Sequence, residues 1–178
     1  MKRNGQNFFA LVLKCRKNRE QDLSVTLLTR EQGKVIAVAK GVCKLTSSKR
    51  AYLEPGNLVQ VQLVETKNWP ILTQAKLVAD TGKAREDLVQ VRRLFLYLEI
   101  LDLLLTAEEI PVPLWQKIIY LREILLQNMS TRLVRQEFKA ILATLGYADE
   151  SQELTSVTNL VSEVTGNRLC TYEYLRVK

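Results

Sequence analysis

Between Glu20 and Gly41 (E-Q-D-L-S-V-T-L-L-T-R-E-Q-G-K-V-I-A-V-A-K-G) apolar residues alternate in two runs around one polar break. Leu23, Val25 and Leu27 form the first run, and Val35, Ala37 and Ala39 the second. Period-two alternation puts each run's apolar side chains on one face of an extended strand, so the pair reads as a β-hairpin. The connector Thr29–Lys34 contains Gly33, the residue able to take the positive φ that such a loop needs. After the second strand the chain runs through Lys40-Gly41 into a polar, cationic loop, Val42–Arg50. The hairpin therefore delivers positive charge to one edge of a β-domain.

Flanking sequence supplies three more strands. Phe8–Cys15 is almost continuously apolar at first, the pattern of a strand buried on both faces, and Phe8 and Phe9 are both expected in the core. Leu58–Glu65 alternates with Val59, Val61 and Leu63 on one face, and Ile71–Ala79 follows a turn at Thr66–Pro70. Five short strands in about eighty residues fit a small closed barrel, of the OB type in preference to an SH3-like one. After Thr81-Gly82-Lys83 strand chemistry stops. Apolar residues at spacings of three and four then predict a long helix from Ala84 to about Thr106, and a break at Ile110–Pro113 precedes a second helix at Leu114–Leu126. A third helix, capped by Ser130 or Thr131, runs to Leu145 with Gly146 as its C′ residue, and a fourth spans about Leu154–Val164. The expected fold is α+β in two domains: a five-stranded OB-type β-barrel at residues 1–82 and an all-α domain at residues 83–178.

Charge separates the two halves. Residues 1–83 hold 15 Lys+Arg against 6 Asp+Glu, and residues 84–178 hold 11 against 13, within a chain of net charge +7. A basic β-domain joined to a nearly neutral helical one suggests a polyanion-binding module with a partner of different task. Candidate DNA contacts are Arg16, Lys17, Arg19, Arg30, Lys34, Lys40, Lys44, Lys49 and Arg50, all in or beside the barrel's loops. Such cations neutralise phosphates, Ser47 and Ser48 can add neutral hydrogen bonds, and Tyr52 and Trp69 beside turns can stack on unpaired bases or pack over the barrel mouth.

Several classes of function are excluded or disfavoured. The chain has no histidine, which removes the commonest general base, the Ser-His-Asp and Cys-His nucleophile systems and most zinc sites. Its three cysteines, Cys15, Cys43 and Cys170, lie too far apart for metal-ligand spacing or a disulfide framework. No Walker loop and no G-x-G-x-x-G is present, and Glu20 and Asp22 on a solvated turn lack the surroundings of a catalytic pair. No stretch matches a signal peptide or a membrane span, so a cytoplasmic, non-enzymatic protein without cofactor or metal is expected.

In the helical half, Arg132, Arg135 and Lys139 recur at spacings of three and four beside the apolar face holding Phe138 and Leu142. A basic rim beside an apolar groove suits an acidic-apolar peptide tail, although an ordinary amphipathic helix has the same pattern.

Taken in order, these residues resemble the bacterial recombination mediator family RecO. The likeness begins at Ala10–Lys14 and is strongest through Glu20-x-Asp22, Thr26–Thr29, Gly33-Lys34 and Ala39-Lys40-Gly41, continuing to Leu53-Glu54-Pro55. Leu94–Leu105 is similar to the family's first long helix, and Phe138–Tyr147 to the motif preceding its zinc module. The resemblance implies an OB-fold followed by a helical domain and binding of single- and double-stranded DNA. It also implies strand annealing, recognition of the acidic C-terminal tail of single-stranded DNA-binding protein, and cooperation with RecR in loading RecA. Arg135 falls on a basic position of the tail-binding helix, with Arg132 and Lys139 near it. One departure stands out: after Gly146-Tyr147 no cysteine follows until Cys170, so the four-cysteine zinc module is expected to be missing and the chain reads as a short member. A basic protein-binding adaptor that does not touch DNA is the main alternative, and a small histidine-free nucleic-acid enzyme the last.

Overall fold

The computed structural model describes residues 5–18, 22–42, 49–147 and 157–171. Five strands, β1 (Gln6–Lys17), β2 (Leu23–Thr29), β3 (Gly33–Ala39), β4 (Leu58–Val64) and β5 (Ile71–Ala79), close in the order β1-β2-β3-β5-β4. A single helical turn, α1 (Lys49–Tyr52), lies between β3 and β4 in the chain. All neighbours are antiparallel except β3 and β5, whose parallel contact is limited to Val38↔Ile71 and Ala39↔Leu72. This closed five-stranded barrel is of the OB type, with the helical half following it.

β1 is long because it serves two neighbours. Its first half pairs with β4 (Gln6↔Leu63 to Leu11↔Leu58), and its second half pairs with β2 (Ala10↔Thr29 to Lys17↔Leu23). The register with β2 shifts between Val12 and Lys14, so one extra residue bends the strand around the barrel. Before the shift Phe8, Ala10 and Val12 point into the core; after it Cys15 packs inward against that core. Leu11, Leu13 and Leu28 lie outside this core cluster yet are buried, so β1 is covered on both faces, as its unbroken apolar run implies. Phe9 departs from expectation. It follows strict alternation onto the outer surface and is 41% exposed, whereas Phe8 is buried.

The hairpin has a shorter loop than the sequence reading gave it. Thr29 pairs with Gly33, leaving Arg30-Glu31-Gln32 as the connector. The buried Thr29 hydroxyl donates to the Gly33 carbonyl (3.2 Å) and accepts from the Gln32 N–H (3.1 Å), which tightens the turn. Gly33 takes φ +59°.

The chain clusters into two compact units. One comprises residues 1–81 together with Leu105–Ile110, a segment inserted between two helices of the other. That segment is a strap on the hairpin: the Lys34 N–H donates to the Thr106 carbonyl (2.8 Å), and the Ile110 N–H donates to the Arg30 carbonyl (2.7 Å). No linear boundary captures it, because the chain leaves the barrel at residue 82 and returns at 105.

The second unit holds α2 (Leu88–Leu104), α3 (Val112–Leu126), α4 (Thr131–Thr144) and α5 (Val157–Thr165). α2 starts later than its apolar pattern suggests. Gly82–Arg85 forms a 3-10 turn, and the Asp87 carboxylate accepts the Val89 N–H at 2.8 Å, setting the first turn after it. α3 starts earlier, since Pro113 sits in its first turn, where a missing N–H costs nothing. The Ser130 hydroxyl caps α4 by accepting from the Leu133 N–H, and Gly146 follows that helix at φ +78°.

A buried tyrosine ties three helices together. The Tyr97 hydroxyl on α2 donates to the Ile118 carbonyl on α3 at 2.6 Å, and its ring meets Phe138 on α4 edge-on at 5.9 Å. Burial pushes this hydroxyl's pKa far up; the nearby Arg122 charge opposes that shift and Glu123 adds to it. Arg122 is fully buried and ion-paired with Glu123. On α2 the Glu99 carboxylate accepts the N–H groups of Cys170 and Thr171 at 2.7 and 2.9 Å, anchoring the last described residues.

Candidate nucleic-acid interface

The barrel sorts the cations that the sequence offers as one set. Register aligns Lys17 with Leu23 and Leu23 with Ala39, so the end of β1 and the end of β3 flank the start of β2. Arg16, Lys17 and Lys40 therefore share one end of the barrel, and all three are exposed. The turns there are fixed by the chain itself: the Asn18 N–H donates to the Asp22 carbonyl at 3.0 Å, and the Asp22 carboxylate accepts the Gly41 N–H at 2.9 Å. Asp22 is thus a positioning residue for the exit of β3, a role for which its place in the sequence offers no signal.

α1 joins this end through the barrel interior. Leu53 belongs to the core cluster and Tyr52 packs against it, while the Cys15 thiol, next to Arg16, donates to the Leu53 carbonyl at 2.7 Å. Arg50 on α1 is exposed. Burial, with the negative charge of Glu54 adding to it, pushes the Cys15 thiol up to about 12, so this cysteine is a structural donor and not a nucleophile at neutral pH. Tyr52 is half-buried against the core, whereas Trp69 in the β4–β5 turn is 54% exposed. Arg19, Lys44, Ser47 and Ser48 lie outside the described residues, as does the side chain of Lys49.

Lys14 was missed. The register shift in β1 turns it outward beside Thr26 and Ile36, one position along the same face from Arg16, Ser24 and Val38. Its signal is hidden in the sequence because unbroken alternation from Phe8, Ala10 and Val12 would put Lys14 on the inner face. The bulge, a tertiary feature, puts it in line with Arg16.

Arg30 and Lys34 are elsewhere. They flank the loop at the opposite end of β2, about 20 Å from Lys17 at the usual rise per residue. Arg30 is paired with Glu31 at 3.1 Å, and the strap brings Glu108 and Glu109, both exposed, to this tip. Two cations therefore face three carboxylates at the hairpin tip, while the β1–β3 end keeps an excess of positive charge.

In the helical unit, Arg132 and Arg135 are exposed on α4 and Lys139 is half-buried. Phe138 and Leu142 have their side chains in the unit's interior, Phe138 against Tyr97, so they support α4 from within. Among the described residues no group of three or more His, Cys, Asp and Glu is arranged to hold a metal ion. No helix among them is long and apolar enough to cross a membrane.

Residues 5–80 match the family Recombination protein O N terminal. The match coincides with the barrel, whose strands run from Gln6 to Ala79. The longer chain is similar to proteins named DNA repair protein RecO from three bacteria. It is 42% identical to the Heliobacterium modesticaldum protein over 93 residues, which is 52% of this chain and 34% of that one. For the Nocardioides protein the identity is 46% over 74 residues (42% of this chain, 30% of the relative), and for the Cutibacterium acnes protein 33% over 105 residues (58% and 43%). The chain thus spans between about a third and under half of the length of the curated relatives that it matches. The matched range 5–80 includes the position of every candidate DNA contact named above, and the aligned stretches of 74 and 93 residues are too short to cover both units of the chain.

Proposed function

We propose that this chain acts in DNA repair by recombination as a non-enzymatic DNA-binding and strand-annealing protein. The observation that carries the reading is the gathering of Arg16, Lys17 and Lys40, with Arg50 and the outward Lys14 nearby, at one end of a recombination protein O barrel. Cations held on strands and tight turns neutralise phosphates with little sequence preference, releasing counterions as they do so. Annealing requires only that two strands be charge-screened and brought together, so no covalent step and no cofactor enter the mechanism. Both single- and double-stranded DNA are substrates in this reading, because backbone contacts do not depend on base pairing.

The helical unit then carries protein partners: RecR and the acidic tail of single-stranded DNA-binding protein, the latter met by the cationic edge of α4 at Arg132, Arg135 and Lys139. Site of action is the bacterial cytoplasm, on the nucleoid.

Salt-titrated fluorescence anisotropy with a labelled random oligonucleotide tests the DNA assignment. Wild type is expected to bind with a steep negative dependence of log K on log salt, and Arg16→Glu/Lys17→Glu/Lys40→Glu to lose about tenfold or more in affinity along with annealing. A folded triple variant that binds as wild type does would refute the site.

A further inference from the structure

The strap at Leu105–Ile110 takes no part in the proposed DNA contact. Leu105 and Ile110 are buried at its ends, while Thr106, Ala107, Glu108 and Glu109 between them are exposed. Backbone hydrogen bonds hold it on the hairpin, through Lys34 N–H to Thr106 and Ile110 N–H to Arg30. Its approach to the loop is close: a Cβ on Gly33 would stand 2.2 Å from the Glu108 carbonyl oxygen and 2.5 Å from that of Thr106. The hairpin tip is therefore overlaid by Ala107-Glu108-Glu109, whose two carboxylates share the tip with Glu31 and with the cations Arg30 and Lys34.

Resting on the DNA-binding reading, we infer that the strap sets the boundary of the nucleic-acid interface, excluding phosphate from the hairpin tip and confining DNA to the Arg16–Lys17–Lys40 end. The physical ground is electrostatic. Phosphates approaching the tip meet Glu31, Glu108 and Glu109 against Arg30 and Lys34, and the distance to the cationic end exceeds a Debye length of about 10 Å at 0.1 M salt. The two ends are thus screened from one another, and each presents its own local sign. Arg30 and Lys34, which the sequence groups with the DNA contacts, are held out of that set by residues more than seventy positions later in the chain.

The experiment compares two double variants of equal net charge in the full chain: Glu108→Gln/Glu109→Gln on the strap, and Glu65→Gln/Glu163→Gln at exposed positions in the β4–β5 turn and α5. Both keep the backbone contacts of the strap intact. Salt-dependent anisotropy with the labelled oligonucleotide is the readout. The strap variant is expected to bind about fivefold tighter at 0.1 M salt, with a salt slope steeper by about one to two as Arg30 and Lys34 join the contact. The control pair is expected to change affinity less than twofold and to leave the slope alone. Equal effects in the two variants, or no change in the strap variant while wild type binds DNA, would overturn the inference. Absence of DNA binding by wild type would instead remove the reading on which it rests.

Discussion

Replacing Gly33 by alanine attacks the strap through its backbone. Two costs add. The residue sits at φ +59°, where a side chain is strained by roughly 1–2 kcal/mol. The new Cβ would also lie 2.2, 2.5 and 2.6 Å from the Glu108 oxygen, the Thr106 oxygen and the Glu108 nitrogen, all main-chain atoms unable to rotate away. The strap must lift. Lifting it loses the Lys34–Thr106 and Ile110–Arg30 hydrogen bonds, worth about 1 kcal/mol each, and uncovers part of Leu105 and Ile110. The expected destabilisation of the barrel unit is about 3–5 kcal/mol. Gly146→Ala is the matched control: its φ is +78°, yet nothing lies within 4 Å of the added Cβ, so only the backbone cost of roughly 1–2 kcal/mol applies. Urea unfolding compares the two variants, and amide hydrogen exchange at Lys34 and Ile110 reports directly on the strap. If Gly33→Ala loses no more stability than Gly146→Ala, with both amides still protected, the strap does not pack closely on Gly33.

Three further outcomes concern Tyr97 and the two cysteines Cys15 and Cys170. Tyr97→Phe keeps the edge-on contact with Phe138 but removes the hydrogen bond to Ile118, and is expected to cost about 1–2 kcal/mol in thermal or urea unfolding of the helical unit; a neutral result would mean that the hydroxyl contributes nothing to α2–α3 packing. Cys15 has its pKa raised from 9.0 to about 12, so the folded state retains a proton that the unfolded state gives up between those values. Its contribution to stability is complete below pH 9 and is lost as pH rises toward 12, which alkaline unfolding of wild type against Cys15→Ala measures as a difference that shrinks over that window. At pH 8, mass spectrometry after brief iodoacetamide treatment is expected to find the exposed Cys170 alkylated and Cys15 unmodified.

Local pattern carried much of this structure. Alternation over Leu23–Leu27, Val35–Ala39, Val59–Leu63 and Ile71–Ala79 reports strands because a half-buried strand must repeat with period two. Gly33 and Gly146 were legible as positive-φ positions, since glycine takes that conformation without the strain a Cβ brings. The excess of cations in the first half was legible by counting. Which cations act together was not. Lys14 enters the outward row only because β1 bulges, and Arg30 and Lys34 stand apart because the hairpin puts them at the other end of β2, where a strap from between α2 and α3 folds back onto the loop.

The same division holds for the helical unit. Its sequence identifies amphipathic helices and the cations on α4, but periodicity states only that Phe138 and Leu142 are apolar on one face. Packing decides that this face meets Tyr97 and the other helices instead of lining an open groove. By itself, then, the sequence determined the strands, the helices, the turn glycines and the sign of the charge on each half, because these depend on residues a few positions apart. Only the tertiary structure decided how the barrel closes, which end of it is cationic and what covers the hairpin tip, because those depend on strand register and on contacts between residues far apart in the chain.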